Sequence, residues 1–453
     1  MKNGLGRHLC TPSFYLCTMT IAFSMFQAWN YSDNSVGMDF YNYWVAAMAR
    51  RESPHTNFYA LSNSIDVREK FYKISINQSS SNRQASAARY WQNIDKKYYE
   101  EDNERLQFFV STPFLFSCIQ LFVTGDYELD YACFRLLRLL CFLIFLFSLC
   151  FILGYSYVTI GFFSILIVTV FEPFSSDLRV GNVNLLQLGL LSLVLLFSYT
   201  YFNTIKGHLS SGFVLGLAVM FKPNVALVPI CLVIGWLFHR MYRRIIYSLL
   251  GFGAGVVIAF VLSSFYFQTW RAWLWWWASA KDFSSMALVN VDEGNCALPR
   301  VLFELVGLTN TQYVVLSMAV FLFMILLCMR PKSNGQYILR THAKLDVMFL
   351  GVGCILYHLM APLAWLHYYL FTLPLVLYLY RPSKTNSAVY LAFRYGTCSL
   401  AFTLLSINPL AILFRNVSNM QVGVWFNIAV ALLLLAALLD WLKEEWKLKV
   451  GTP

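Results

Sequence analysis

Asp39, in "GMDFYNYW", is a lone carboxylate among aromatic residues, placed shortly after the first apolar run of the chain. A carboxyl group in an aromatic setting loses solvation, which raises its pKa and fits it to take a proton from a hydroxyl group. Asp is also a favoured helix cap, here for a helix beginning at Phe40, and the two readings are compatible. Phe40, Tyr43, Trp44 and Ala47 recur at i, i+3, i+4 and i+7, so the helix is amphipathic and suited to the membrane interface. An acid at its start is then held at headgroup depth, with Tyr43 one turn on.

Lys222, in "GLAVMFKPNVALVP", interrupts a long apolar run. Ionisable residues inside membrane segments are rare and usually functional. Pro223 suits the first turn of a new helix, whose N-terminus adds partial positive charge beside the ammonium, together a phosphate site. The alternative is a lysine snorkelling from a helix break. His367, in "APLAWLHYYLFTLP", offers an imidazole as phosphate partner or proton carrier, or belongs with Trp365, Tyr368 and Tyr369 to an interfacial aromatic belt. His358, further back in the same segment, reads as a helix–helix hydrogen bond, and the two histidines lack the spacing of metal ligands. Arg179 and Asn182 open another span in "FEPFSSDLRVGNVNLLQLGLL", where Asp177 can pair with Arg179. Asn295 and Arg300 lie in "EGNCALPRVLFEL", and the "WLWWW" cluster reads as an interfacial anchor.

The elements that must position these groups are membrane helices. The chain has 453 residues, 58% hydrophobic and 17% aromatic, and only 13% are charged, against about 25% in soluble domains. Runs such as "LLRLLCFLIFLFSLCFILGY" match the roughly 20 apolar residues needed to cross a bilayer. The net charge of +11 comes from Lys and Arg in short loops ("HRMYRR", "RPKSNGQYILRTHAK", "RPSK"), the signature of cytoplasmic loops; nucleic acid is not implied as a partner. The eleven cysteines are scattered without a C-x-x-C, so they act as small hydrophobes. The basic N-terminus lacks a cleavage site of signal-peptide type and reads as cytoplasmic, ahead of a retained span.

Threading the chain by charge places a first span at 11–29, a long external loop at 30–106 and further spans over 107–268. An external aromatic loop follows at 269–310, then C-terminal spans over 311–442, all in one membrane domain. The total is about twelve crossings, each near 20 residues, with both termini cytoplasmic. Between 107 and 239 the apolar stretches number one too many for the charge rule, so one is broken or re-entrant, a form tolerated where it lines a cavity. Asp39, Asn182, Lys222, Asn295 and His367 then all fall at the external face.

The order of "GMDFYNYWVAAMARRESPHTNFYAL", "STPFLFSCI", "DLRVGNVNLLQLGLL", "GLAVMFKPNVALVPICLVIGWLFHRMYRR", "EGNCALPRVLFEL" and "PLAWLHYYLFTLPLVL" resembles membrane glycosyltransferases of the GT-C fold. It is most similar to the polyprenyl-phosphate-mannose-dependent phosphatidylinositol-mannoside mannosyltransferase family. The resemblance implies an all-α polytopic enzyme of the cytoplasmic (inner) membrane, with its active site on the periplasmic or external face. It implies a polyprenyl-phosphate-linked sugar as donor and a glycolipid or glycan of the cell envelope as acceptor, with no cofactor and no metal. Asp39 matches the acid taken as general base in an inverting transfer. His367, Lys222 and Asn295 match the family's histidine, lysine and loop asparagine, and Asn182 stands where glutamine is common. On that reading Lys222, helped by Arg179, His367 or Arg300, faces the donor phosphate, and Tyr43, Asn182, Asn295, Trp365 and Tyr368 are candidates for the substrate pocket. Mannose is the default sugar, and a pentose stays open. So do an O-antigen-type ligase or polymerase and a flippase for lipid-linked sugars. Against these, no inverted repeat is visible, and the largest polar loop follows the first span rather than coming late.

Overall fold

The computed structural model describes residues 12–77, 79, 81–102, 109–201, 204–285, 291, 294–308, 312, 339–361, 363–382, 387–406 and 417–450. In chain order its α-helices are α1 (Pro12–Asp33), α2 (Met38–Glu52), α3 (Leu61–Asn77), α4 (Asn82–Asp102), α5 (Pro113–Gln120), α6 (Tyr127–Leu153), α7 (Tyr157–Val170), α8 (Glu172–Val180) and α9 (Asn184–Thr200). They continue as α10 (Ile205–Phe221), α11 (Leu227–Phe238), α12 (Tyr242–Phe267), α13 (Ala272–Ser285), α14 (Leu298–Val306), α15 (Leu339–Met360), α16 (Leu373–Tyr380), α17 (Ala388–Leu404) and α18 (Asn419–Val450). Two 3₁₀ segments, Pro223–Val225 and Leu366–Thr372, precede α11 and α16. No strand occurs among the described residues. Residues 313–338, which begin the expected C-terminal spans and include most of the basic loop "RPKSNGQYILRTHAK", lie outside them.

Local sequence explains where the helices begin. Asp126 caps α6 by accepting from Glu128 N (3.0 Å) and Leu129 N (3.2 Å). Thr112 caps α5, accepting from Leu115 N at 3.1 Å, with Pro113 in the first turn. Capping oxygens of this kind satisfy amide groups that a helix start leaves without partners.

Four helical segments are long and apolar enough to cross a membrane: Tyr127–Leu153, Tyr242–Phe267, Ala343–Met360 and Asn419–Lys443. Their outward side chains are largely apolar. On α6, Leu136, Leu140, Ile144, Phe147 and Phe151 recur along one helical face and all are exposed, a stripe that suits hydrocarbon. The chain is therefore a multi-pass membrane protein. Between 107 and 239, α7 and α8 form an apolar pair bent by 63° at Phe171, a break in the region where the charge rule requires one. Shorter apolar helices, Asn184–Thr200, Ile205–Phe221, Pro223–Phe238 and Leu366–Tyr380, fill the interior.

Two contacts shape the region around Lys222. α10 and α12 meet backbone to backbone through Gly212, Gly216, Gly251 and Gly255: a methyl group on Gly212 would sit 2.0 Å from Ser248 O, and one on Gly251 2.2 Å from Leu209 O. The spacing is the small-xxx-small pattern of membrane helix pairs, on both partners at once. On the other side, α2 packs under the hairpin of α3 and α4. Phe40, Tyr41, Tyr43 and Trp44 are buried; Tyr41 Oη and Ser75 Oγ share a hydrogen bond (3.0 Å), and Trp44 Nε1 donates to Asp130 Oδ2 (3.0 Å).

Candidate active site

Helix α2 begins at Met38, two residues before the start at Phe40 that its sequence suggests. Gly37, at φ 71°, is the residue before the helix, and Asp39 sits inside the first turn. Asp39 is thus no cap; its carboxylate is left for another partner. That partner arrives on the turn after α8, which ends at Gly181 in the left-handed region (φ 72°). A side chain on Gly181 would lie 3.1 Å from Phe40 Cβ and 3.2 Å from Gly37 Cα, and Gly37 N donates to Arg179 O at 3.3 Å. Two left-handed turns thus stack closely, and only glycine enters that conformation without strain. The turn is anchored from below by a fully buried ion pair, Arg138 Nη2 to Asp177 Oδ2 at 2.9 Å.

Asn182 follows Gly181 and joins three candidates. Its Nδ2 donates to Asp39 Oδ2 at 2.6 Å and lies 3.2 Å from His367 Nε2. Its Oδ1 accepts from Lys222 Nζ at 3.0 Å. An amide nitrogen can only donate, so His367 Nε2 is the acceptor and the imidazole proton resides on Nδ1, an assignment that follows from the network. His367 Nε2 is 3.9 Å from Asp39 Oδ2. Asp39 Oδ1 has no hydrogen-bond partner among the described residues and its side chain is 24% exposed, so one oxygen remains open. Burial raises the pKa of Asp39, opposed by the Asn182 hydrogen bond and by the charges of Lys222 and Arg138.

Lys222 stands where α10 stops and Pro223 starts the next segment. The break frees carbonyl groups at the end of α10, and two side chains satisfy them. Gln187 Nε2 donates to Lys222 O (2.6 Å) and Ala218 O (3.1 Å), while Thr112 Oγ1 donates to Phe221 O (2.9 Å). The ammonium donates to Asn184 Oδ1 at 2.9 Å as well as to Asn182, and lies 4.4 Å from the centre of the Tyr368 ring, a cation–π contact. Asn184 Nδ2 in turn donates to His367 O at 3.1 Å.

The structure thus gathers Asp39, Asn182, Lys222, His367 and Tyr368 in one cluster. Tyr43 lies one turn beyond Asp39, buried against Phe116. Arg179 flanks the cluster through the Gly37 contact; its side chain is half exposed, with Glu172 4.0 Å away. Trp365 packs over Gly294. Asn295 is engaged with backbone, its Oδ1 accepting from Ala297 N and Ala364 N (both 3.1 Å), which ties its loop beside Trp365. Arg300 is joined to Glu304 at 2.7 Å on α14. His358 stacks on Tyr369, ring centres 4.8 Å apart. Among the described residues no set of three His, Cys, Asp or Glu side chains could hold a metal ion.

Sequence reading passed over Asn184, Gln187 and the Arg138–Asp177 pair. The first two carried a signal in retrospect: with Asn182 they put three amides into six residues at the mouth of an apolar helix, where polar side chains need a reason.

The model of glycosyltransferase family 87 matches residues 109–356, more than half of the chain. The chain belongs to glycosyltransferase family 87. No curated protein and no solved structure matches it. This family 87 chain is accordingly a multi-pass, all-α membrane glycosyltransferase of GT-C type. Asn182, Asn184, Gln187 and Lys222 lie inside the matched stretch, whereas Asp39 and His367 come from either side of it.

Proposed function

We propose that this glycosyltransferase takes its sugar from a polyprenyl-phosphate donor and passes it to a hydroxyl group of an envelope glycolipid or glycan at the external face of the cytoplasmic membrane. One observation carries the reading: a single carboxamide, Asn182, holds a carboxylate at its nitrogen and an ammonium at its oxygen. A base and a cation an amide apart fit a displacement with attack on one side of the anomeric carbon and departure on the other. The open oxygen of Asp39 takes the acceptor proton as the acceptor oxygen bonds to that carbon. The bond from carbon to phosphate oxygen breaks, and the lipid phosphate leaves with one more negative charge than it had in the donor. Lys222 faces that charge, the arrangement that lowers a barrier when cations are placed where charge develops. Inversion follows, because a single displacement leaves the acceptor oxygen on the face opposite the departing phosphate.

Arg179 flanks the phosphate side. Asn182 orients base and cation together, and Tyr43, Tyr368 and Trp365 supply aromatic walls. Basic loops elsewhere in the chain support an external site by the positive-inside rule. Mannose is the first sugar to test and a pentose the second.

The test is transfer of radiolabelled sugar from mannosyl and pentosyl polyprenyl phosphates to a membrane glycolipid extract by purified protein, wild type against Asp39→Asn. Label in product from the wild type alone supports donor class and base together. Equal transfer by both proteins removes Asp39 as base. No transfer from either donor removes the polyprenyl-phosphate reading.

A further inference from the structure

Most buried cations elsewhere among the described residues sit on carboxylates, with Arg50, which donates to Tyr266 O, as an exception. Arg138 meets Asp177 at 2.9 Å, Arg244 meets Asp346 at 2.5 Å, and Arg381 and Arg394 meet Asp440 at 2.7 and 3.3 Å. Each of these arginines has an acid in direct contact. Lys222 is built differently. Its three contacts, Asn182 Oδ1, Asn184 Oδ1 and the Tyr368 ring, are all neutral. An ammonium has three N–H donors, and the two amide oxygens use two of them.

Asn184 is fully buried and its orientation is set from the far side. With Nδ2 donating to His367 O, Oδ1 must face Lys222. One turn later on α9, Gln187 grips the Lys222 carbonyl. Helix α9 therefore holds Lys222 at both its head and its backbone. We infer that Asn184 is a positioning residue: it orders the Lys222 ammonium through a neutral oxygen, with no acid in direct contact, and so keeps it receptive to an anionic substrate group. This rests on the reading of Lys222 as the partner of the donor phosphate. An aspartate has nearly the same shape as asparagine but would pair with the ammonium and cancel the charge, so the substitution separates geometry from electrostatics.

Two measurements on the full-length purified protein test the inference. The first needs no substrate: competitive acetylation with acetic anhydride, with Lys222 modification read by mass spectrometry. Asn184→Asp should protect Lys222, because an ion-paired ammonium is a poor nucleophile. Asn184→Ala should make it more reactive, because a stabilising acceptor of the ammonium is gone. The second is calorimetric binding of citronellyl phosphate, a short-chain prenyl phosphate. Asn184→Asp should weaken it by about tenfold or more and Asn184→Ala by less, in line with hydrogen bonds to charged groups. Melting temperatures are taken alongside; Asn184→Ser, which retains an oxygen acceptor, should stay close to wild type in both assays and serves if a harsher variant loses its fold. Unchanged Lys222 acetylation in folded Asp and Ala variants overturns the inference. Shifted acetylation with no binding of citronellyl phosphate even by the wild type upholds the role of Asn184 and removes the phosphate reading of Lys222.

Discussion

Two carboxylates of this chain are built to opposite specifications. Asp440, on α18, is fully buried and saturated: Tyr378 Oη donates at 2.8 Å, Arg381 Nη2 at 2.7 Å, Arg394 Nη1 at 3.3 Å, and Tyr390 Oη closes the set. Asp39, on α2, has one amide donor and an open oxygen. The first acid has no capacity left for a ligand; it ties α16 and α17 to α18. The second is underused, in a place where burial makes it more basic than an ordinary carboxylate. Saturation marks structure and spare valence marks chemistry, and the two sites can be set against each other.

The sharpest break comes from removing each acid's charge. Asp39→Asn should lower glycosyl transfer by about 10²–10⁴-fold, the range for a positioned general base, with an unchanged melting temperature. Lys222→Met should lower kcat by about 10²-fold, comparable to losing one group that faces developing charge, and single-turnover rates would show it. Asp440→Ala should do the reverse. Leaving two guanidinium groups without their acid costs about 3–5 kcal/mol of stability, seen as a fall in the thermal midpoint, while turnover per folded molecule stays near wild type. A thermal loss in Asp39→Asn equal to that of Asp440→Ala would erase the distinction.

A finer test uses pH. The base must be ionised, so transfer should fall as pH drops through the pKa of Asp39, which burial places above the ordinary carboxylate value of about 4. The Asn182 hydrogen bond favours the ionised form and pulls that pKa down. Asn182→Ala should therefore move the acid limb of kcat/KM to higher pH. An unmoved limb would mean that another group controls it. The smallest effect expected is that of Gly181→Ala. Forcing a Cβ into a left-handed turn costs about 1–2 kcal/mol, and the contact with Phe40 must yield, so transfer should drop several-fold by shifting Asn182.

Much of this was legible in the sequence, for reasons that differ by residue. Lys222 and His367 stand out because charge and imidazole are costly inside apolar runs, and the break in the helices before residue 239 follows from counting charges. Asp39 stood out too, but its alternative role as a cap did not survive, since the helix already starts at Met38, with Gly37 before it. Asn182 could be named as a pocket residue; its part as the link between acid and cation could not, because residues 39, 182, 222 and 367 converge only through tertiary contacts. Arg300 shows the converse. A cation in a promising motif is satisfied within its own helix by Glu304, four residues on. Arg138 was hidden because, taken alone, it reads as a blemish in an apolar span, and Asp177, expected to pair with Arg179, meets Arg138 instead.

The glycine-lined contact between α10 and α12 bears on how a lipid gains entry. With backbone atoms already touching, neither helix can slide or roll against the other without a collision, and Lys222 hangs from the end of that welded pair. The cation is consequently a stationary post. If the donor is the proposed prenyl phosphate, the segment better placed to yield to its tail is the α3–α4 hairpin, joined to α2 by side-chain hydrogen bonds such as that between Tyr41 Oη and Ser75 Oγ.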